Sequence, residues 1–243
     1  MSELHGASIT YLGHSTVLVE TRAGQRILID PWTYSNPVCP EELKDPGHLD
    51  LLLITHGHSD HMGDALKIIQ ETGCTVACGY EVMLHLIGKG IAGHHFQPMN
   101  IGGSIRLPDL GLTLTQTLAL HSAGIDEGGK LQEGGVAAGF VVTLDEGLTF
   151  YHAGDTALFS DMRLISELYC PTLAMLPIGD RFTMGPREAA YALELLSSVS
   201  AVLPLHWGTF PLLTGTPEAL EAELKKRARL VTVHGVPPGG KIS

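Results

Sequence analysis

The chain has 243 residues, 44% apolar and 17% charged, with 15 basic side chains against 26 acidic ones for a formal net charge of −11. That apolar fraction is ample for a buried core and excludes disorder as the main state, and the length suits one domain over residues 1–243. So acidic a chain offers no broad basic surface, which excludes coating of nucleic acid or docking on an anionic membrane.

Residues 1–13 lack the basic and apolar regions of a secretory leader, so the chain reads as soluble and cytoplasmic. Short β-type runs are expected at 9–12, 16–20, 26–29, 51–55, 75–78, 112–120, 137–144, 148–151, 173–176, 201–205 and 230–233. The run from Leu112 to Leu118 alternates apolar and polar residues, predicting a strand with one solvated face. Leu51-Leu52-Leu53-Ile54 and Ala174-Met175-Leu176 do not alternate and suit strands covered on both faces. Helical spacing is confined to 65–71, 81–87, 160–169, 186–198 and 218–229. The last carries its acids early and Lys225, Lys226, Arg227 and Arg229 late, complementing the helix dipole as a solvated face. The glycine-rich stretch 124–139 reads as a loop. The charge-free stretch 195–217 is interrupted by Pro204 and Pro211 and cannot be one membrane-spanning helix.

Four cysteines are too few for a disulfide scaffold in a chain of this length, and Cys74 and Cys78 sit in a run that reads as a buried strand. Thirteen histidines are more informative, because of where they fall. Thr55-His56-Gly57-His58-Ser59-Asp60-His61 places four metal-capable side chains directly after an apolar strand. On a helix His56 and His58 would point apart, whereas a turn with Gly57 lets them converge. The pattern recurs in kind: later strands run out into His121, into His152 and Asp155, and into His206. Ligands gathered at the carboxyl ends of strands are how open sheets build sites. His56, His58, Asp60, His61, His121, Asp155 and His206 together supply enough donors for two divalent ions with positions left open for water.

THGHSDH followed by HSAG, HAGDT and LPLHWGT resembles the metallo-β-lactamase superfamily. Gly13-His14-Ser15, Ile27-Leu28-Ile29-Asp30-Pro31, Phe182-Thr183-Met184-Gly185-Pro186 and His206-Trp207-Gly208-Thr209-Phe210 narrow the resemblance to the UPF0173-type metal-dependent hydrolases. Ascorbate-6-phosphate lactonases and phosphodiesterases that release N-acylethanolamines are more distantly similar. The resemblance implies an α/β four-layer αββα sandwich with the site at one edge. It also implies a first metal on His56, His58 and His121, a second on Asp60, His61 and His206, and Asp155 bridging them.

Two such ions lower the pKa of a bridging water from about 16 towards about 7, providing a hydroxide in place of a protein nucleophile. No G-x-S-x-G elbow and no Cys-His pair offers an alternative. Asp60 is the natural acceptor for the attacking hydroxide. His14 and His152 are the candidates to protonate a leaving group, His152 having a ligand-orienting role as its alternative. Asp30 is expected to hydrogen-bond to a ligand or to the H-x-H loop. Arg181 is the one cation beside a family motif, and Trp32, Tyr34, Phe182 and Trp207 could line an apolar wall. Imidazole and carboxylate donors suit Zn first, with Mn or Fe as alternatives. The expected activity is metal-dependent hydrolysis of a small ester, lactone or phosphodiester, with a small molecule as the only partner. The need for a wall over the site leaves room for a homo-oligomer. The rival readings are an iron-dependent oxidoreductase or persulfide dioxygenase, and a metal-binding sensor without catalysis.

Overall fold

A computed structural model describes residues 4–243; part of the stretch read for a leader, residues 1–3, lies outside them. In chain order the elements are β1 (Ser8–Gly13), β2 (Thr16–Glu20), β3 (Arg26–Ile29), β4 (Leu51–Ile54), α1 (Ser59–Met62), α2 (Ala65–Thr72), β5 (Thr75–Gly79), α3 (Tyr80–Gly88) and β6 (Phe96–Met99). They continue through β7 (Ser104–Leu107), β8 (Leu112–Leu118), β9 (Ile125–Glu127), β10 (Lys130–Gln132), β11 (Ala138–Leu144), β12 (Thr149–His152) and α4 (Met162–Tyr169). The last are β13 (Leu173–Pro177), α5 (Pro186–Leu195), β14 (Ala201–Leu205), α6 (Pro217–Lys226), β15 (Thr232–Val233) and β16 (Lys241–Ile242).

Two seven-stranded sheets form, in the orders β16-β1-β2-β3-β4-β5-β6 and β15-β14-β13-β12-β11-β8-β7. Side chains alternate across each strand, so every strand divides its apolar residues between two layers. Ile27, Ile29, Leu51 and Leu53 point inward, meeting Leu114, Phe140, Val142, Met175 and Leu203 from the opposite sheet. Leu28, Leu52, Ile54 and Val76 point outward under α2 and α3, through Ile68, Ile69, Val82 and Leu86. On the far side, Val141, Tyr151, Ala174 and Val202 are covered by Met162, Ile165, Ala189, Leu193, Leu220 and Leu224 of α4, α5 and α6. This is the αββα sandwich, and it explains why the runs in β4 and β13 are apolar without alternation: both faces are buried.

The pairing directions bring the strand ends that matter to one edge. β1 and β3 are both antiparallel to β2, and β3 is parallel to β4, so β1, β3 and β4 share a direction. In the second sheet β8 and β12 are both antiparallel to β11, and β12, β13 and β14 are parallel. The carboxyl ends of β8, β12 and β14 therefore lie together, as do those of β1, β3 and β4. Hydrogen bonds join the two sets, among them His206 N donating to His14 O at 2.7 Å, Ala138 N donating to Thr55 O at 3.1 Å, and His152 Nε2 donating to Ser15 O at 3.1 Å.

Two sequence expectations are corrected. The alternating strand β8 has no solvated face: Thr115 and Thr117 are buried, and Thr115 bonds the Ser104 hydroxyl of β7 at 2.7 Å. Residues 124–139 are not an open loop but hold the β9–β10 hairpin and the first residues of β11. Long-range contacts hold that hairpin. Ile125 is buried in the outer core beside Gly57, and Glu127 pairs with Lys89 and with His85 of α3. The strands with no signal in the sequence, β6, β7 and β16, are short edge strands, and β6 carries a proline that only an edge tolerates. Among the described residues no helix is long and apolar enough to cross a membrane.

A Cβ at Gly57 would stand 2.4 Å from Ile125 Cγ1 and 2.9 Å from the Ala123 carbonyl. Gly57→Ala is expected to push the hairpin outward, costing about 1–3 kcal/mol of stability and speeding amide exchange at Ile125–Glu127. An unchanged melting temperature with unchanged exchange would contradict that packing.

Candidate metal centre

Seven of the thirteen histidines and three aspartates meet at the edge just described. Three groups of donor atoms lie within 4.8 Å of one another: His56, His58 and His121; His56, His61 and Asp155; and His14, Asp60, His61 and His206. Asp60 and His61 stand on α1, a single turn that begins immediately after His58. The H-x-H part is therefore a strand exit and the D-H part a helical turn, which aims the four side chains at one place.

Asp30 is the anchor beneath the ligands. Its Oδ1 accepts from Thr55 N at 2.9 Å, and its Oδ2 accepts from Thr55 Oγ1 at 2.9 Å and from His61 Nδ1 at 2.7 Å. The Thr55 hydroxyl, its proton committed to Asp30, accepts in turn from His56 Nδ1 at 3.0 Å. Each ring spends Nδ1 on the support below and turns Nε2 towards the centre, the atom a metal ligand offers. His56 Nε2 faces His58 Nδ1 at 2.9 Å, and His58 Nε2 is held by Ser122 Oγ at 3.2 Å. Asp155 sits between the two sets, with Oδ2 3.2 Å from His61 Nε2, 3.0 Å from His206 Nε2 and 3.6 Å from His121 Nε2.

The charges are unbalanced in an instructive way. Asp30 and Asp155 are buried, at 0% and 2% exposure. Burial would push the Asp155 carboxyl up, but His61 and His206 overcome it and hold the group well below the usual carboxylate range. Burial likewise opposes a charge on His61, and the Asp155 and Asp30 carboxylates prevail and raise it well above an ordinary histidine. A proton on His61 thus stands where cationic charge is needed. Burial holds His56, His58 and His121 low, so these rings are neutral with lone pairs available. Asp155 Oδ1, His61 Nε2 and His206 Nδ1 are buried without a hydrogen-bond partner among the described residues. Two of these orphaned atoms belong to ligand candidates that converge on Asp155. Buried polar atoms left so in a native fold call for a ligand, and divalent ions fit this donor set.

The other predicted residues separate clearly. His14 is buried, with Nε2 donating to Asp60 Oδ2 at 3.0 Å and Nδ1 3.0 Å from Thr209 Oγ1. His152 is corrected: it is fully buried, Nε2 donates to Ser15 O and Nδ1 accepts from Gly154 N at 3.2 Å, so both nitrogens serve backbone and none is left for a leaving group. Trp207 also turns away from the site, stacking on Tyr11 at 6.3 Å and donating Nε1 to Pro204 O at 3.0 Å. Tyr34 bonds Glu71 and lies under Lys67. Arg181 is exposed, with its guanidinium 5.8 Å from the Phe182 ring centroid, on the loop whose Gly179 abuts His206. Trp32 does reach the site, its ring 5.2 Å from that of His14. Thr55, Ser122, Thr209 and Phe210 were not singled out from the sequence. Their signal is position, each lying inside one of the histidine motifs and within four residues of a candidate ligand histidine.

The sequence profile of the Beta-lactamase superfamily domain matches residues 25–207. The chain is 47% identical over 237 residues to a UPF0173 metal-dependent hydrolase of Koribacter versatilis, covering 98% of each chain. Another UPF0173 metal-dependent hydrolase, from Rubrobacter xylanophilus, is 47% identical over 240 residues, covering 98% of this chain and 97% of that one. The solved structure of a metallo hydrolase from the hyperthermophilic archaeon Ignicoccus hospitalis is similar at a TM-score of 0.85 and 37% identity, with 97% of each chain covered.

The neutral histidines set a pH dependence for the metal-free protein. In the unfolded chain they titrate near 6.5, whereas burial pushes His14 down to about 4 and lowers His56, His58, His121 and His152 as well. Below about pH 6.5 the unfolded state then binds more protons than the native one, so stability falls on acidification. His61 is raised and acts oppositely, its stabilisation fading as pH rises through its folded value, but one ring opposes five. Metal-free protein should melt about 5 °C or more lower at pH 5 than at pH 7.5. An equal or higher melting temperature at pH 5 would contradict this electrostatic account.

Proposed function

The chain belongs to the beta-lactamase superfamily and, within it, to the UPF0173 metal-dependent hydrolases, and from that premise we propose a hydrolase that works with two adjacent divalent cations on a small ester, lactone or phosphodiester. His56, His58 and His121 would hold one ion, and Asp60, His61 and His206 the other, with Asp155 shared. The observation that carries this reading is Asp155 itself: a buried carboxylate with an orphaned oxygen, ringed by imidazoles from both ligand sets. Zinc suits these donors first, with manganese or iron next.

Bound there, the ions supply Lewis acidity, polarising the oxygen of the bond to be cleaved and lowering the pKa of a water from about 16 towards about 7. The chain's own residues set the stage. Asp30 and Thr55 hold His56 and His61 with Nε2 turned to the centre, so no reorganisation is needed when substrate arrives. Asp60 has four lone-pair sites and gives one to His14, leaving others for a cation and for a proton of the attacking water. Ser122 holds His58, buried Trp32 and exposed Phe210 flank the His14 ring, and exposed Arg181 and Phe182 stand on the loop that follows Gly179 beside His206. Trp32 and Phe210 beside His14 favour a small substrate with an apolar part. A net charge of −11 supports a small molecule over nucleic acid.

The test pairs metal analysis of protein from its native host with turnover of p-nitrophenyl esters and bis-p-nitrophenyl phosphate. Zn- or Mn-supported hydrolysis, lost by about 10³-fold or more in the Asp60→Ala, His61→Ala double variant, is the expected result. Redox-active iron with oxygen uptake, or hydrolysis unchanged in the double variant, would overturn it.

A further inference from the structure

His14 is held with unusual firmness for a residue in a turn. It follows an irregularity in the β1–β2 pairing and adopts φ +58°, the left-handed region that a non-glycine residue enters at a cost. Its carbonyl accepts from His206 N at 2.7 Å and from the Tyr11 hydroxyl at 3.2 Å, so the backbone is clamped to β14. The ring is packed against His206 at 4.0 Å between centroids and meets the edges of Trp32 and Phe210 at 5.2 and 5.6 Å. It has no room to turn.

Both its nitrogens are engaged. Asp60 as a carboxylate only accepts, so Nε2 carries the proton at the 3.0 Å contact with Oδ2. Nδ1 is left to the Thr209 hydroxyl at 3.0 Å, whose other neighbour, Trp207 O, is 3.5 Å away. Among the described residues His14 is the one hydrogen-bond partner of the Asp60 carboxylate. Thr209 and Phe210 come from the loop that leaves β14 through His206, so the loop that supplies one ligand also aligns another across the gap between the sheets.

Resting on the two-cation reading, we propose that Thr209 and His14 form a positioning relay: the Thr209 hydroxyl donates to the Nδ1 lone pair that the Asp60 contact leaves on His14 and so holds the ring in that state, and His14 fixes the orientation of Asp60 towards the second cation. Thr209 touches no ligand atom and acts only through His14. The Asp60 carboxylate sets the His14 tautomer, and the Thr209 hydroxyl, donating to Nδ1, reinforces it. With Nδ1 protonated, the His14 lone pair would face the Asp60 carboxylate and the two would repel, turning Asp60 out of the ligand set. Phe210 and Trp32 flank the ring and limit the water that could replace the threonine hydroxyl.

Stepwise Co(II) binding, followed by the visible absorption of the Co(II) protein, reads this relay without reference to turnover. Thr209→Val keeps the shape and removes the hydroxyl; Thr209→Ser keeps the hydroxyl and removes a methyl. The Val variant should bind the first equivalent as the wild type does and the second about 10–100-fold more weakly. Its kcat on a p-nitrophenyl ester should fall with KM within about twofold, and the Ser variant should restore both properties. A Val variant that binds both equivalents as the wild type does, or a Ser variant that fails alongside it with an intact melting transition, overturns the relay. If the wild type itself takes up a single equivalent, the two-cation reading falls, and the relay with it. If it takes up two and Thr209→Val changes nothing, the relay alone falls.

Discussion

Asp155 is a carboxylate without access to water, 2% exposed, in the middle of a protein edge built from imidazoles. An isolated buried anion is expensive enough that a fold either neutralises it or supplies an opposite charge. Here the surroundings keep it ionised: His61 and His206 lie on its Oδ2, and His61 is tied below to a second buried carboxylate, Asp30. Burial keeps the rings of His56, His58 and His121 neutral. Such an arrangement is frustrated as a hydrogen-bond network and satisfied as a binding site for cations. The fold is therefore assembled around charge that it does not itself complete.

Assembling it takes backbone strain. His14, Asp30 and His206 each have positive φ, at 58°, 52° and 56°, and each follows a strand end at the shared edge. A left-handed residue after an extended strand turns the chain sharply and leaves its side chain facing the gap between the sheets. The cost of order 1–3 kcal/mol per residue is sustained because the neighbouring strands are deep in the core. Cross-sheet bonds then lock the turns together, most directly from His206 N to His14 O. Packing supplies rigidity, rigidity supports strain, and strain aims the ligands of a metal-dependent hydrolase.

Much of this was legible in the sequence for a definite reason. Strand cores announce themselves by apolar runs, and the signal lay in several such runs each ending in a histidine or aspartate, with four metal-capable side chains within residues 56–61. His56, His58, Asp60, His61, His121, Asp155 and His206 could therefore be gathered from one chain, and the structure does bring them together. What escaped is what depends on contact across the fold. The β9–β10 hairpin reads as a glycine-rich loop because Ile125 and Glu127 find their partners on Gly57 and α3, far away in sequence. His152 and Trp207 share motifs with ligands, yet burial and backbone bonds turn them into supports. Thr209 is an ordinary residue until the turn at His14 brings a ring nitrogen to it.

The central claim is that one buried carboxylate joins two cation sites. Electron paramagnetic resonance of the Mn(II)-loaded protein tests it most directly, since two Mn(II) ions sharing a carboxylate are magnetically coupled and isolated ions are not. The account predicts a coupled multiline spectrum at two equivalents that collapses to uncoupled signals in Asp155→Ala. A spectrum of isolated Mn(II) in the wild-type protein at full loading, or coupling that survives the loss of Asp155, would contradict it.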